Sequence, residues 1–223
     1  MRRGGTVEAV HRVHAVAVQD GAVVAEAGDP ALVAFMRSSS KPLQAIPLAR
    51  ARDDVGARDL AIASASHLAD EAQLEAVRAL LAKAPAEVEE DEIPTAVDGC
   101  GVVTFALPLE RMAHAFARLE RLDGGNRVAA GMRAYPELIR GPLATDTRLM
   151  RALPDWIAKG GAEGLLCAAG AGVGVTLKAE DGNGRALGPA AAGFFAEIGL
   201  DLGELAVTPL ENSRKERVGE IRI

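Results

Sequence analysis

The chain reads Arg-Ser-Ser-Ser-Lys-Pro-Leu-Gln over residues 37–44, directly after a short apolar run. Ser38 and Lys41 are three residues apart in this stretch, so a helical turn brings a hydroxyl and an amine to one face. A serine nucleophile and its lysine base require that arrangement. Pro42 is tolerated in the first turn of a helix, where its missing N–H has no intrahelical partner. We therefore predict that strand passes into helix here, with Ser38 at the positive end of the helix.

The segments around this junction predict an α/β (α+β) protein in which helices flank a mainly antiparallel sheet. Residues 6–18 are rich in β-branched residues, and Asp20-Gly21 signals a tight turn before a returning strand at 23–27. Because strand patterns return only in the last third of the chain, the sheet should combine distant segments. The other expected elements are helices over 74–84, from Pro108 to Asp123, and over 126–135, 146–153 and 189–200, with strands over 157–164 (Lys159 at its start), 165–167, 173–179 and 218–223.

The composition limits the size of the protein and its partners. With 223 residues, 49% of them hydrophobic, the chain is long enough for one domain over 1–223. A net charge of −6 without a large Lys/Arg cluster argues against a nucleic-acid partner. We expect a cytoplasmic protein without a membrane partner, since neither a signal peptide nor a span of about 18 apolar residues is recognisable. Cys100 and Cys167 lack CxxC spacing, which argues against a disulfide framework and a self-contained zinc site.

Four further stretches accompany the Ser38–Lys41 motif in a fixed order. They are Gly-Gly-Thr-Val-Glu-Ala-Val-His at 4–11, Ala-Ser-His at 65–67, Val-Asp-Gly-Cys-Gly at 97–101 and Ala-Lys-Gly-Gly-Ala-Glu-Gly at 158–164. In this order the chain resembles the asparaginase II family, the thermolabile, rhizobial type of L-asparaginase. The resemblance implies a fold like that of serine β-lactamases and penicillin-binding proteins, and hydrolysis of L-asparagine to aspartate and ammonia. The expected partners are therefore this small-molecule substrate and a second copy of the chain in a homodimer.

The predicted catalytic residues form two serine–lysine pairs. We expect Ser38 to be the nucleophile and Lys41 its base. A lysine with an ordinary pKa of about 10.4 is protonated at neutral pH, so burial or a nearby cation must lower the pKa of Lys41. Lys159 can supply that cation while it hydrogen-bonds Ser66, which resembles the second serine of the family's site. The strand of Lys159 also resembles the Lys-Thr-Gly strand of penicillin-recognising enzymes.

Three other residues are expected to bind the substrate. Arg37 can hold the α-carboxylate, because a guanidinium group grips a carboxylate in bidentate fashion. His67 and Asp98 are further substrate-binding candidates. From the residues alone, simpler roles stay open, with Ser66 as a capping hydroxyl at a helix entry and Asp146 as a helix N-cap.

The chain departs from the family between Ala84 and Ile93. The family carries a longer, largely helical segment there with an Asn-Asn-Cys-x-Gly-Lys-His motif, whereas this chain has Pro-Ala-Glu-Val-Glu-Glu-Asp-Glu at 85–92, so we infer a deletion around 85–93. The resemblance implies a zinc site that takes one cysteine and one lysine from the missing segment, a cysteine matching Cys100 and the aspartate matching Asp98. Zinc generally takes four ligands. We therefore expect Cys100 to be left in an incomplete metal site, and no cofactor to be required.

Two other functions stay open. A relative that has lost its metal-bearing segment can survive as a catalytically degenerate, asparaginase-like binding protein. A β-lactamase-like hydrolase of another amide or ester would also fit Ser-x-x-Lys and Lys-Gly-Gly, although no convincing Ser-x-Asn element accompanies them.

Overall fold

The structure, a computed structural model, describes residues 1–83 and 106–223. Within these ranges the strands are β1 (Arg2–Arg3), β2 (Thr6–Val7), β3 (Val13–Gln19), β4 (Ala22–Ala27), β5 (Val33–Phe35), β6 (Ala106–Pro108), β7 (Ile157–Gly161), β8 (Leu165–Gly170), β9 (Val173–Ala179), β10 (Thr208–Glu211) and β11 (Arg217–Ile221). The α-helices are α1 (Lys41–Gln44), α2 (Ile46–Ala51), α3 (Ala57–Ala63), α4 (Glu71–Leu81), α5 (Leu109–Arg118), α6 (Gly125–Ala134), α7 (Pro136–Arg140), α8 (Thr145–Ala152) and α9 (Leu187–Glu197).

The central sheet has five antiparallel strands in the order β4-β3-β9-β8-β7. The tight turn of the β3–β4 hairpin places Asp20 at φ +48 and Gly21 at φ +86, the left-handed conformation that a two-residue hairpin loop needs. β3 also pairs with β9 along its whole length, which joins an early and a late segment of the chain. The predicted hairpin and the sheet of distant segments are therefore confirmed. The prediction of one continuous strand over 6–18 is wrong, because residues 8–12, between β2 and β3, belong to no strand.

Two smaller antiparallel sheets lie beside the central one. The ends of the chain form a four-stranded sheet in the order β10-β11-β1-β2, so the last strand does not join the central sheet. β5 pairs with β6 in a two-stranded sheet that leads into the serine stretch. Together with the helices, these sheets confirm the coarse prediction of a mixed α/β protein with antiparallel sheets.

Helices α5 and α9 cover opposite faces of the central sheet. The apolar side chains that were expected on one stripe of this helix are all buried: Leu109, Met112 and Phe116 in α5, and Leu119 directly after it. α5 lies directly on β9 at Gly174, where a Cβ atom would be 1.9 Å from the carbonyl oxygen of Ala113. Side chains alternate along a strand, and cross-strand partners share a face. α9 packs on β9 and β3 from the other side, where it faces Val13 and Ala15.

The remaining predicted elements are largely confirmed, with one change that matters for the site. β7 ends at Gly161 and not at residue 164, because Glu163 (φ +59) and Gly164 (φ +65) form the turn into β8. Lys159 therefore lies in the middle of β7, not at its start. Among residues 1–83 and 106–223, no helix is both long and apolar enough to cross a membrane.

Candidate active site

The serine stretch forms a tight turn between β5 and α1. Residues Arg37–Ser40 are a 3₁₀ turn, and the backbone N–H of Lys41 donates to the carbonyl oxygen of Ser38. Residues three apart eclipse one another in such a turn, so Ser38 and Lys41 share a side. Arg37 has φ +51, a left-handed conformation that costs a residue with a side chain about 1 kcal/mol. α1 begins only at Lys41, so Ser38 lies in the 3₁₀ turn that precedes the helix. Pro42 lies in the first turn of α1, as the sequence predicted.

The hydroxyls of the three serines have different partners. Ser39 donates to the carbonyl oxygen of Met36 at 2.6 Å and is fully buried, and Ser40 donates to the carbonyl oxygen of Arg37 at 2.8 Å. Ser38 is half-buried, and its hydroxyl makes no hydrogen bond to any residue that the structure describes. Ser38 is therefore the serine of this turn whose oxygen is available for chemistry.

Lys41 directs its amine toward the loop that carries Ser66. The amine donates to the carbonyl oxygen of Ala65 at 2.7 Å. Within the described part of the chain, no hydrogen bond joins the Lys41 amine to the Ser38 hydroxyl. The Lys41 amine is therefore bound to the loop that carries Ser66.

Ser66 is fixed by both of its backbone groups. Its N–H donates to the carbonyl oxygen of Ile139 at 2.8 Å, and its carbonyl oxygen accepts from the side chain of Gln73 at 3.1 Å. Gln73 is 1% exposed and also donates to the carbonyl oxygen of Leu138, so it ties the loop to α7. The N-cap of α4 is Asp70, so Ser66 does not cap this helix. Gln73 carries no sequence motif, and sequence reasoning missed it.

Lys159 is a fully buried lysine whose amine donates to the Ser66 hydroxyl at 2.7 Å and to the carbonyl oxygen of Gly160 at 3.0 Å. The pKa of Lys159 is lowered from 10.5 to about 8, chiefly by burial. The carboxylate of Asp146 opposes this shift, and the positive charges of Arg140 and Lys41 contribute to it. Lys41 and Lys159 therefore lie close enough for their charges to interact, and Lys159 has the lowered pKa that a base near neutral pH requires.

A row of polar side chains runs across the sheet beneath the serine turn. Cross-strand pairing places Lys159 opposite Cys167, and Cys167 opposite Thr176, on the face that α5 covers. Burial raises the pKa of the Cys167 thiol to about 11, although hydrogen bonds with Thr176 and Ser39 oppose this effect. The thiol is therefore uncharged at neutral pH. A Cβ atom on Gly161 would come within 2.9 Å of the carbonyl oxygen of Met36, so glycine at this position lets β7 approach the turn closely.

Asp146 and Arg140 lie next to Gly160 of β7, on the sheet face opposite Lys159. Asp146 is 1% exposed, and its carboxylate accepts the backbone N–H of Gly160 at 2.9 Å. The prediction that Asp146 is an N-cap is wrong, because Ala144 holds that position of α8. A Cβ atom on Gly160 would lie 2.5 Å from the Nη1 atom of Arg140, which places the guanidinium directly against this glycine. Sequence reasoning missed Arg140, which follows no recognisable motif.

A cavity of about 400 Å³ adjoins Arg140, Asp146 and Gly160. Leu166, the cross-strand partner of Gly160, also lines this cavity. Because neighbouring residues of a strand point to opposite faces, the cavity lies on the sheet face opposite Lys159. The cavity therefore adjoins the serine–lysine site across one strand and does not contain it.

The substrate-binding candidates lie in different places. Arg37 is exposed and directly precedes Ser38. His67 is exposed, and its Nε2 donates to the carbonyl oxygen of Ile62 at 3.1 Å, so the ring is turned back toward the end of α3. Asp98 and Cys100 lie outside the described residues. Among residues 1–83 and 106–223, no three His, Cys, Asp or Glu side chains are grouped so that they could hold a metal ion.

A comparison with models of known protein families shows which family this chain is similar to. The model described as L-asparaginase II matches residues 1–90 and 84–223, so the two matched segments overlap at residues 84–90. A search among curated proteins finds no match for this chain. Since the family match extends from the first residue to the last, the chain belongs to the asparaginase II family.

Proposed function

We propose that the protein is an L-asparaginase, an amidohydrolase that converts L-asparagine to L-aspartate and ammonia. The observation that carries this proposal is the 2.7 Å hydrogen bond between the buried Lys159 amine and the Ser66 hydroxyl, beside the serine turn. An amine with a pKa of about 8 is neutral in roughly a tenth of the molecules at pH 7, which is enough for it to accept a proton from a neighbouring hydroxyl. Membership of the asparaginase II family supports a small amide as the substrate.

In the proposed mechanism, Ser38 attacks the side-chain amide carbon of the substrate. The Ser38 oxygen forms the new bond, its proton passes to neutral Lys41, and the carbonyl oxygen becomes an oxyanion. The C–N bond then breaks, and the nitrogen leaves as ammonia with the proton from Lys41. A β-aspartyl ester of Ser38 remains, which water cleaves to aspartate. To make Lys41 neutral, we propose that the protonated amine, which is bound to the carbonyl oxygen of Ala65, passes a proton to the Ser66 oxygen while the Ser66 hydroxyl proton passes to neutral Lys159.

Substrate orientation is assigned to the residues around the nucleophile. We propose that Arg37, adjacent to Ser38, binds the α-carboxylate and that Asp98 binds the α-amino group. We assign His67 a role at the rim of the site, since its ring is held against α3.

We also propose a specific fold and a single domain for this chain. A strand with a buried lysine beside a Ser-x-x-Lys turn supports the fold of serine β-lactamases and penicillin-binding proteins. We propose that residues 1–223 form one domain with a deletion around 85–93, and that two copies associate as a homodimer.

Purified protein should release ammonia from L-asparagine, and Ser38→Ala should lower the rate by at least about a thousandfold, because the bond-forming oxygen is removed. Ser40→Ala is the matched control, because the Ser40 hydroxyl is bound to the carbonyl oxygen of Arg37, and it should keep most of the activity. Ammonia release is measured with a coupled assay at millimolar asparagine. Peptide mapping of trapped acyl-enzyme should find the label on Ser38.

Other outcomes would favour the alternative functions. Equal ammonia release by wild type and Ser38→Ala would contradict the assignment of the nucleophile. Hydrolysis of glutamine or of a chromogenic lactam, but not of asparagine, would support another hydrolase. Asparagine that raises the thermal midpoint without being cleaved would support a binding protein.

We also propose that neither the fold nor hydrolysis needs zinc. The family segment that would supply a cysteine and a lysine ligand is missing, and Cys100 with Asp98 cannot fill a four-ligand site. Dialysis against a chelator should leave the thermal midpoint and the rate of ammonia release unchanged. One zinc per chain by elemental analysis, lost in Cys100→Ala, would refute this proposal.

A further inference from the structure

Gly160 is the point at which three charged side chains meet the edge of the central sheet. β7 is an edge strand, and its residues point their backbone groups alternately toward β8 and away from the sheet. The N–H of Gly160 donates to Asp146 at 2.9 Å, and its carbonyl oxygen accepts from the Lys159 amine at 3.0 Å. Both outward-facing groups of this residue are therefore held by charged side chains.

We propose that Asp146 and Arg140 are positioning residues which, through Gly160, hold the Lys159 amine against Ser66 and act on its charge in opposite senses. This inference rests on the proposed function, because it gives the two residues a role in preparing the base. Neither residue has to touch the substrate. Asp146 and Arg140 lie where the side chain of residue 160 would point, on the sheet face opposite Lys159, whereas Ser66 is hydrogen-bonded to the Lys159 amine itself.

The carboxylate of Asp146 fits this role by its burial and its bonds. Its second oxygen accepts the backbone N–H of Thr147 at 3.1 Å, so both oxygens are fixed by main-chain donors. The negative charge of Asp146 raises the pKa of the nearby Lys159, so it favours the protonated amine.

The guanidinium of Arg140 has the opposite effect. It is permanently charged, and within the described ranges it forms no ion pair with a carboxylate. Its Nη1 atom lies where a side chain at position 160 would begin, so only glycine admits it. Among residues 1–83 and 106–223, the other charged or ionisable groups that face Lys159 are Lys41, which is also a cation, and the Cys167 thiol, which is neutral at pH 8.

Removing the charge of Asp146 and removing the charge of Arg140 should therefore move the titration midpoint of Lys159 in opposite directions. With Asp146→Asn, the midpoint should fall below the wild-type value of about 8 by at least about half a pH unit, because a stabilising anion is lost. With Arg140→Met, the midpoint should rise by a similar amount, because a repelling cation is lost. Arg140→Lys keeps the charge and is the matched control, with a midpoint close to that of the wild type.

The measurement is direct and does not depend on activity. The chain has five lysines, so the side-chain signals of ¹³C-labelled lysine can be followed by NMR from pH 6 to 11, with Lys159 assigned by its absence in Lys159→Met. Shifts in the same direction, or no shift in either variant, would overturn the proposal. Where Asp146→Asn does not fold, the comparison of Arg140→Met with Arg140→Lys still decides, since equal midpoints in these two variants would also overturn it.

Activity measurements then distinguish the positioning role of Asp146 and Arg140 from the proposed function of the protein. In an active enzyme, the acid limb of the pH–rate profile should move with the NMR midpoint in each variant. If the wild type hydrolyses no asparagine but the midpoints move in opposite directions, the positioning role stands and the proposed function fails. If the wild type is active and neither the midpoints nor the limb move, the positioning role fails alone.

Discussion

Lys159→Met should abolish asparagine hydrolysis, with a loss of about a thousandfold or more, and yet leave the protein at least as stable as the wild type at pH 7. The loss follows from the proposed role of the amine, since methionine fills a similar volume but cannot exchange a proton with Ser66. Stability is expected to persist because the wild type holds a charged amine in a fully buried position.

The pH dependence of stability gives this prediction a sign. The pKa of Lys159 is about 8 in the folded protein, against an ordinary value of 10.5, so the folded state releases the proton first. Below pH 8 the buried charge therefore costs the folded state roughly 3 kcal/mol, and this cost fades as the pH rises toward 10.5. The hydrogen bonds lost at Ser66 and Gly160 offset about 1–2 kcal/mol of the gain from methionine.

Urea unfolding of both proteins at pH 7 and pH 10, with ammonia release at pH 8.5, tests both parts. The wild type should gain free energy of unfolding relative to Lys159→Met between the two pH values. A variant that is less stable by several kcal/mol at pH 7, or one that still cleaves asparagine at the wild-type rate, would contradict the assignment.

Gly174→Ala should have the largest effect on folding, with a loss of about 3 kcal/mol or more in the free energy of unfolding. A single methyl group on Gly174 would lie 1.9 Å from the carbonyl oxygen of Ala113 and 2.7 Å from the backbone nitrogen of Ala117. Both atoms belong to the main chain of α5, so no side-chain rotation relieves the clash. The helix would have to move away from β9, and its apolar contacts with the sheet would loosen.

Gly184→Ala is the matched control, because nothing lies within 4 Å of the Cβ position there. This control should change the free energy of unfolding by less than about 1 kcal/mol. Equal thermal midpoints for the two variants would show that α5 does not pack on β9 as described.

Local patterns were enough to predict most of the elements. The Asp20-Gly21 turn and the apolar stripe of α5 both follow from residue types at fixed spacing, and both are confirmed. The i to i+3 relation of Ser38 and Lys41 depends on the same short-range geometry. The catalytic roles of these residues stay predictions, although the structure brings Ser66, Lys159 and Lys41 together.

The rest of the site depends on tertiary packing, which has no short-range pattern. Gln73 reads as one more polar residue of a helix, but the fold buries it against the carbonyl oxygens of Ser66 and Leu138. Arg140 gains its place only because α7 ends beside β7. Asp146 reads as a helix cap and instead bonds to the sheet, because no local rule fixes how α8 meets the strand.

The edge of β7 has a consequence for how the protein behaves at high concentration. An exposed strand edge offers unpaired N–H and C=O groups on which another chain can add a strand. At Gly160 both groups are already bound, one to a buried carboxylate and the other to the Lys159 amine. All five residues of β7 are buried, and the side chains of Asp146 and Lys159 add to this cover by occupying the groups to which another strand would pair. Replacing either side chain should therefore make intermolecular β-pairing at this edge easier.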